Sequence, residues 1–551
     1  MLSKIFNRKP LWLFGAETAE SKLQREYGFL SLVLFGIGGT VGSGIFVISG
    51  QIAATMAGPA TCISWLIAGV CSAITALAYC ELAALLLSPG STYAFSYYGL
   101  GEAFAMISAW LVSLEYGFSG AAVARSWGEK IGYWLDVNDF MDCPPDNCWI
   151  HAVGGSPFNP AATVISVGTT FLLARGVRLE KNLINILVTI KVLLVVFVIV
   201  VGAAYSKSDN LTPFVPQTNE LHNGSSSNDF QGGISGILVG ATTAFFGFVG
   251  FDEVACMTGE AKRPKRDVPA AILTTIVTIC ILYVAASLVL TGMVPYDKID
   301  QSEGFGSAFM ASGAKWAMQI TLAGEILVVL PTIVLVSYAP QSRVMLAAAL
   351  DGQLHPIFGR VNAKGTVVYS VWVSGAVFAL IAAFVPFKNL NDLISGGILL
   401  SFILTNMSLL LSRSEQKGKP QLFIMVLAMG ILCLLINKGD MHSTVSIVFA
   451  AIMGVIILFS FGHMWYTCSF STQIDTFKVP AVPFVPAIAI FICWFLMTQL
   501  PWLGLIEIVG LVFIAIIAYF AYGFRHTLNF EKEAALRFPP SNSNPVKVEV
   551  K

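Results

Sequence analysis

The chain has 551 residues, of which 56% are hydrophobic and only 12% are charged. Soluble globular proteins carry about 25% charged residues, so this composition excludes an ordinary soluble domain and indicates a polytopic membrane protein. Basic and acidic residues are equal in number, at 32 each. The resulting net charge of zero gives no reason to expect a nucleic-acid partner.

Residues 1–27 are polar, show no cleavable signal pattern, and form a predicted cytoplasmic segment. Fourteen apolar spans follow, each near the ~20 residues that a helix needs to cross a bilayer. We number them in chain order as spans 1 to 14: 28–57, 62–87, 103–126, 160–175, 183–205, 231–258, 269–294, 316–339, 366–386, 391–412, 421–437, 442–462, 482–500 and 502–524. They predict an all-α integral membrane protein with fourteen transmembrane helices and a cytoplasmic C-terminal tail at 525–551.

Span 1 contains the stretch 36–46, GIGGTVGSGIF, which has five glycines in eleven residues. Glycine is about 1 kcal/mol less favourable than alanine inside a helix, so these glycines either pack against another helix or break this one. A broken helix at membrane depth must be buried in protein or line a polar cavity, and its second half presents an N-terminus that attracts anions. Span 6 is interrupted in the same way at 245–252, FFGFVGFD.

The two interrupted spans lie five apart. Broken spans at matching positions in two halves are the best sequence indication of the binding site of a secondary transporter. An odd number of spans in each unit inverts the second copy, so spans 1–5 and 6–10 predict inverted repeats. The predicted transport core covers residues 28–412, and the four helices at 421–524 are an addition.

Loop charges predict the orientation. The termini and the loops on their side of the membrane carry 24 lysines and arginines, against six in the other loops. The positive-inside rule then places both termini in the cytoplasm. Glycosylation sequons at Asn210 and Asn223 fall on the predicted outside. Cys143 and Cys148 fall there too, and they form either a disulfide or two free thiols. The plasma membrane is the expected location, with a vacuolar or lysosomal membrane as the alternative.

Several stretches together resemble a known family. They are GIGGTVGSGIFV at 36–47, AGPA at 57–60, AYCELAALLLSPGSTYAFSYYGLGE at 78–102, FFGFVGFDEVACMTGEAKRPKRDVPAAI at 245–272 and VPFVPAIAIFICWFLMTQL at 482–500. They resemble the cationic amino acid transporters of the amino acid–polyamine–organocation superfamily, and the resemblance covers about residues 25–525. It implies a five-plus-five inverted-repeat transporter fold with spans 1 and 6 unwound at the midplane.

The resemblance also implies where a substrate binds. The expected contacts to the main-chain groups of an amino acid lie at the two breaks, at Thr40, Gly42, Ser43, Gly44, Phe246, Gly247 and Val249. The N–H groups at 42–44 are expected to receive the α-carboxylate, and carbonyl groups of both breaks are expected to receive the α-ammonium. Phe246 is expected to act as an aromatic gate over the substrate, with simple packing as the alternative.

Ionisable residues at membrane depth are costly and are therefore functional candidates. Lys191 lies at the centre of span 5, so it must pair or lose its proton. Proton-coupled relatives have a lysine at the corresponding point, which implies a proton-coupling role for Lys191. A structural lysine bonded to span 1 carbonyls is the alternative, and one residue can do both.

Four acidic residues complete the candidate set. Glu115 on span 3 and Glu325 on span 8 flank the expected site, where either carboxylate can meet a guanidinium or ammonium head. Glu115 matches a glutamate of some relatives, whereas Glu325 departs from the family pattern and either strengthens the preference for a cation or pairs internally. Glu81 on span 2 and Asp252 after the span 6 break are expected to be gate or helix-anchoring carboxylates.

The predicted function is transport of cationic L-amino acids, arginine and lysine, by alternating access with proton coupling. A neutral amino acid or polyamine carrier is the alternative within the same fold. A sensor that signals without transport is disfavoured because both tails have only 27 residues. No enzyme motif, cofactor site or metal-ligand spacing is present. The expected partners are an amino acid, a proton and the lipid bilayer, with no obligatory protein partner.

Overall fold

The computed structural model describes residues 2–20, 23–42, 44–137, 158–217, 230–299, 304–362, 365–385, 387–439, 443–468 and 476–528. Over these ranges the regular structure is helical apart from one isolated parallel bridge, between Tyr27 and Ala261. The predicted all-α fold is therefore confirmed.

Within the described ranges, ten helical runs are long and apolar enough to cross a membrane. They are Gly44–Leu86, Glu102–Gly132, Val177–Tyr205, Gly233–Glu260, Pro264–Met293, Lys315–Leu350, Leu393–Arg413, Lys419–Lys438, Thr444–Thr467 and Trp502–His526. Four shorter apolar helices are Phe29–Thr40, Pro160–Arg175, Val368–Phe384 and Phe484–Met497. Spans 2 to 14 each overlap one of these helices or runs, and span 1 is divided between Phe29–Thr40 and the run that begins at Gly44, which continues into span 2. The number of complete membrane crossings stays a prediction.

The surface of these helices is that of a multi-pass membrane protein. Helix Thr444–Thr467 exposes large apolar side chains, among them Leu458 and Phe459 at 72% each, and buries only Ser460 and Met464. A soluble protein rarely exposes such a continuous apolar face, because apolar surface is stabilised by removal from water. Hydrocarbon is the environment that suits it.

The two ends of the described chain lie on one face of the molecule. Lys4 donates to the carbonyl oxygen of Phe524, and the Lys9 amino group forms a buried ion pair of 2.6 Å with Asp351. The backbone of Asp351 in turn accepts from the N–H of Leu528 at 3.3 Å. We call this side the terminal face and the other side the opposite face. The charge distribution predicts that the terminal face is cytoplasmic.

Both predicted breaks are present. In span 1, helix Phe29–Thr40 ends, Val41 is extended, and the helix resumes at Gly44. In span 6, helix Gly233–Phe245 gives way to a short turn at Phe246–Phe248 and resumes as Glu253–Cys256.

The two breaks touch each other. A Cβ added to Gly44 would lie 3.1 Å from the Cα of Gly247, so the backbones approach as closely as glycine permits. The sequence pattern of two interrupted helices thus becomes a single unwound centre in the fold.

Two short helices on the terminal face were not predicted. Leu11–Glu20 lies in the N-terminal segment, and Thr92–Gly99 lies between spans 2 and 3. They pack together through Phe14 and Tyr98, whose ring centroids are 6.3 Å apart at an edge-to-face angle of 81°. The N-terminal segment is thereby part of the folded body.

Candidate functional site

The break in span 1 frees backbone groups whose partners can be followed individually. The Thr40 hydroxyl donates to the carbonyl of Gly36 at 2.9 Å, and the Tyr283 hydroxyl donates to the carbonyl of Thr40 at 3.1 Å. The first N–H groups of the helical run that begins at Gly44 have no acceptor inside the helix. Gly42 packs against Ile333, while Ser43 lies outside the described residues.

Lys191 occupies the carbonyl side of the same break. Its side chain is completely buried, and its amino group donates to the carbonyl oxygens of Gly38 at 2.9 Å and Val41 at 2.6 Å. These carbonyls lie at the C-terminal end of helix Phe29–Thr40, where the helix dipole favours a cation. The structural role considered for Lys191 is therefore present in the fold, and its proton-coupling role stays a prediction.

The break in span 6 consists of a tight backbone turn that begins with the aromatic residue Phe246. The Val249 N–H donates to the Phe246 carbonyl at 3.2 Å, which closes the turn. Gly250 has φ +112°, and a Cβ there would lie 2.9 Å from the carbonyl carbon of Gly39. A Cβ at Gly247 would lie 2.5 Å from the Trp65 ring. Glycine is required at both points because the chain passes so close to its neighbours.

A cavity of about 510 Å³ lies between these breaks and the opposite face. Its lining comes from spans 1, 3, 6, 8, 10 and 13 and the segment after span 13: Ile48, Gln51, Val123, Ser126, Thr242, Thr243, Phe245, Phe246, Val249, Leu330, Ser395, Ile398, Leu399, Leu496, Gln499, Leu500 and Pro501. Of the predicted substrate contacts, Phe246 and Val249 belong to this lining. The Phe246 side chain is half-buried, and its role as an aromatic gate stays a prediction.

Glu115 lies deeper, at the level of the span 6 break. It belongs to a π-helical turn, Leu114–Phe118, of the kind found often at functional sites. The residue is 2% exposed, and neither carboxylate oxygen makes a well-formed hydrogen bond to a described donor, although the Ser401 hydroxyl and the Asp252 carboxyl lie close by. The next residue, Tyr116, donates to Asp252 Oδ2 at 2.8 Å, which anchors the span 6 break to span 3.

Glu325 is engaged with a basic residue. It begins a π-helical turn in span 8 and forms an ion pair with Lys130 at the end of span 3 nearer the opposite face. The Trp127 indole donates to the carbonyl of Ile326 at 2.6 Å beside it. Of the two roles considered for Glu325, internal pairing is the one that this conformation displays.

Glu81 joins helices near the terminal face. Its oxygens accept from Arg413 Nε at 2.6 Å and Nη2 at 2.8 Å, and from the Val479 N–H at 2.6 Å. This is a bidentate, charge-assisted contact between spans 2 and 10, which suits the helix-anchoring role of the two that were considered.

The terminal face is closed below the breaks by a charged cluster that sequence analysis did not identify. Arg343, on helix Leu330–Leu350 just past span 8, donates to Glu180 just before span 5 and to Glu260 just past span 6, at 3.0–3.2 Å. The Tyr27 hydroxyl, before span 1, adds a 3.3 Å bond to Glu180. All four side chains are at most 4% exposed. Only their positions near span ends could have signalled this cluster, because their partners are distant in sequence.

Three further predictions concern the glycosylation sequons and the cysteine pair of the predicted outer loops. Asn210 is described, and its amide donates to the carbonyl of Gly292 at 2.7 Å; its glycosylation stays a prediction. Asn223, Cys143 and Cys148 lie outside the described residues. In the described ranges, no group of three or more histidine, cysteine or acidic side chains is arranged to hold a metal ion.

Comparison with known proteins identifies the family. Residues 27–438 match the amino acid permease family model, and residues 477–527 match the C-terminus of the same permeases. The chain is 30% identical to the methylthioribose transporter of Bacillus subtilis, over 96% of this chain and 99% of that protein.

Other relatives of nearly full length carry different substrate names. The branched-chain amino acid permease of Bacillus subtilis is 29% identical over 96% of this chain and 99% of its own length. Cationic amino acid transporter 4 of Mus musculus is 28% identical over 96% of this chain and 91% of its own length. The family match over residues 27–438, together with the unwound centre of spans 1 and 6, shows that this chain belongs to the amino acid permease family.

Proposed function

We propose that this protein is a secondary-active carrier of cationic L-amino acids such as arginine and lysine, working by alternating access with proton coupling. The terminal face is sealed by the Arg343 cluster, while a cavity reaches the breaks from the opposite face. A carrier must close one side while the other admits substrate. This arrangement supports a state ready to load from the opposite face, which the charge distribution predicts to be outside the cytoplasm.

The α-carboxylate and α-ammonium groups of an amino acid are complementary to the free backbone groups of the two breaks. We expect the α-carboxylate to bind at the first N–H groups of the second half of span 1, which begins at Gly44. An α-ammonium needs carbonyl acceptors, and Lys191 and Tyr283 already use those of Gly38, Val41 and Thr40. A carbonyl oxygen has two lone pairs, so these groups can accept a second donor, and the span 6 turn supplies others.

The observation that carries the cationic preference is Glu115. No described donor makes a well-formed hydrogen bond to either Glu115 oxygen, and the ionisable groups beside it, Asp252 and Glu253, are acids, so a Glu115 carboxylate is unfavourable without a cation. A guanidinium or ammonium head that extends past the breaks would supply donors and charge together. Glu325 contributes less, since Lys130 already pairs with it.

A neutral amino acid carrier is the second candidate. The permease of Bacillus subtilis named for branched-chain amino acids is similar over nearly the whole chain, and the cavity beside Phe246 is lined mainly by apolar residues. In this case Glu115 would carry a proton and contribute to helix packing instead of substrate recognition.

Uptake into liposomes distinguishes the two candidates. Purified protein would be given labelled arginine or alanine, with and without an inward proton gradient, and Glu115→Gln would be compared with Glu507→Gln on span 14. We expect arginine uptake, stimulated by the gradient and reduced by Glu115→Gln, with Glu507→Gln unchanged. Alanine uptake without arginine uptake would reject the cationic assignment.

A further inference from the structure

Glu253 is a buried acid that the functional roles above leave unexplained. It directly follows the break in span 6 and begins helix Glu253–Cys256. The side chain is 2% exposed, and its Oε2 has no hydrogen-bond partner in the described structure. An ionised carboxylate in such surroundings needs a nearby positive charge or a bound proton.

Span 1 provides the space for this carboxyl group. A Cβ at Gly39 would overlap Glu253 Oε2, so the carboxyl group lies directly against the Gly39 backbone. Lys191 binds the carbonyl of the preceding residue, Gly38, and that of Val41. The charges of Glu253 and Lys191 therefore act on each other around the span 1 break, although they form no direct ion pair in the described structure.

The surroundings of Lys191 and those of Glu253 differ in the protonation state that they stabilise. Two carbonyl oxygens at the C-terminal end of a half-helix hold the Lys191 amino group, and both favour its charged form against the cost of its complete burial. The ionisable groups that act on Glu253 are Lys191 from span 5, the acids Asp252 and Glu115, and the Cys256 thiol in the same short helix. Spans 1 and 8 face it with Gly39, Val336 and Ser337, which do not titrate.

We propose that Glu253, in place of the predicted Lys191, is the residue that binds and releases the coupled proton, while Lys191 stays charged as its counter-ion. A hydronium ion on one side transfers its proton to the Glu253 carboxylate and leaves a water molecule, and the new O–H bond breaks when the proton passes to a water molecule on the other side. Protonation of Glu253 removes the negative charge near Lys191, whose amino group is bonded to the span 1 carbonyls of Gly38 and Val41. The conformation of the span 1 break thereby depends on whether Glu253 carries the proton.

The proposal rests on the proposed proton-coupled transport, and four proteins test it in liposomes: wild type, Glu253→Gln, Lys191→Arg and the control Glu507→Gln. Two quantities are measured with labelled arginine, or with labelled alanine if arginine is not taken up. One is exchange of substrate at equal pH on both sides. The other is the ratio of uptake with an inward proton gradient to uptake without it.

We expect Glu253→Gln to keep exchange within about twofold of wild type while its gradient ratio falls to one. Lys191→Arg, which cannot lose its charge, should keep a gradient ratio above one. Glu507→Gln should match wild type in both measurements. A Glu253→Gln protein that retains wild-type stimulation overturns the proposal, and so does one that loses exchange as well, because Glu253 would then be structural. A wild type without gradient stimulation would instead refute the proposed proton coupling itself.

Discussion

Arg343 Nε donates to Glu260 Oε1 at 3.0 Å and its Nη2 donates to Oε2 at 3.2 Å, a bidentate contact between two residues that are 4% and 1% exposed. The contact joins helix Leu330–Leu350, which continues span 8, to the short turn Met257–Glu260 that follows the break in span 6. Glu180 binds the same guanidinium from span 5. Opening of the terminal face must therefore separate Arg343 from at least one of its carboxylates.

We predict that Glu260→Gln makes the terminal face open more readily. Removing one partner of a buried ion pair typically costs about 3–5 kcal/mol, and the cost here should be smaller because Glu180 remains. Cys256 lies one turn before Glu260 and is fully buried. Its labelling by a thiol reagent, followed by mass spectrometry of the peptide, should be faster in the variant than in wild type.

Glu129→Gln is the control for this experiment. Glu129 pairs with Arg125 at 3.1 Å but is 44% exposed, so its loss should cost no more than about 1 kcal/mol and leave Cys256 labelling unchanged. Equal labelling of Cys256 in Glu260→Gln and wild type would show that this contact does not hold the terminal face closed.

The contact between the two breaks leads to a second prediction, the effect of Gly44→Ala. The added methyl would lie 3.1 Å from the Gly247 Cα, and backbone cannot move aside as a flexible side chain can. Overpacking of this kind costs about 1–3 kcal/mol, so we expect substrate affinity to fall about tenfold in a binding assay. Gly454→Ala is the matched control, because a Cβ there has open space around it. Equal affinities in the two variants would mean that the breaks can separate without consequence for the site.

The two glycine-interrupted spans and the family resemblance were sufficient to predict the unwound centre, because both can be recognised in local stretches of sequence. The sequence could not decide what each acid contacts. Glu325 and Lys130 are 195 residues apart, and their pairing depends on how spans 3 and 8 pack. The sequence does not single out Glu253, because it directly follows Asp252, to which a gate or helix-anchoring role is already assigned. Its significance depends on its contact with Gly39, which lies on another helix.

The Lys130–Glu325 pair gives a third prediction. Each single variant, Lys130→Met or Glu325→Gln, should lower the melting temperature, because an isolated charge remains in a partly buried site. The double variant should recover part of the loss, with a coupling energy of about 0.5–3 kcal/mol.

Transport selectivity separates this structural role from substrate recognition. If Glu325 serves only Lys130, the ratio of arginine to alanine uptake in Glu325→Gln should remain that of wild type. A selective loss of arginine uptake, with alanine uptake kept, would place Glu325 in the substrate site after all.

The fourth prediction concerns pH and the start of span 1. Glu26 accepts from Arg178 at 2.8 and 3.1 Å and from Lys181 at 3.3 Å, which ties span 1 to span 5 on the terminal face. The hydrogen bonds from Arg178 hold the pKa of the Glu26 carboxyl below its ordinary value. A lowered pKa means that the folded state is stabilised at pH values above the ordinary pKa and loses this contribution as the pH falls through the folded value.

Glu26→Gln should therefore reduce stability by no more than about 1 kcal/mol at neutral pH, since the contact lies near the surface and is screened by water. The difference in melting temperature between wild type and variant should shrink as the pH drops below about 4, where the unfolded carboxyl is protonated. Asp297→Asn, a change at an exposed acid, should show no such pH-dependent difference. A gap for Glu26→Gln that stays constant between neutral and acidic pH would mean that the carboxylate charge contributes nothing and that only packing has changed.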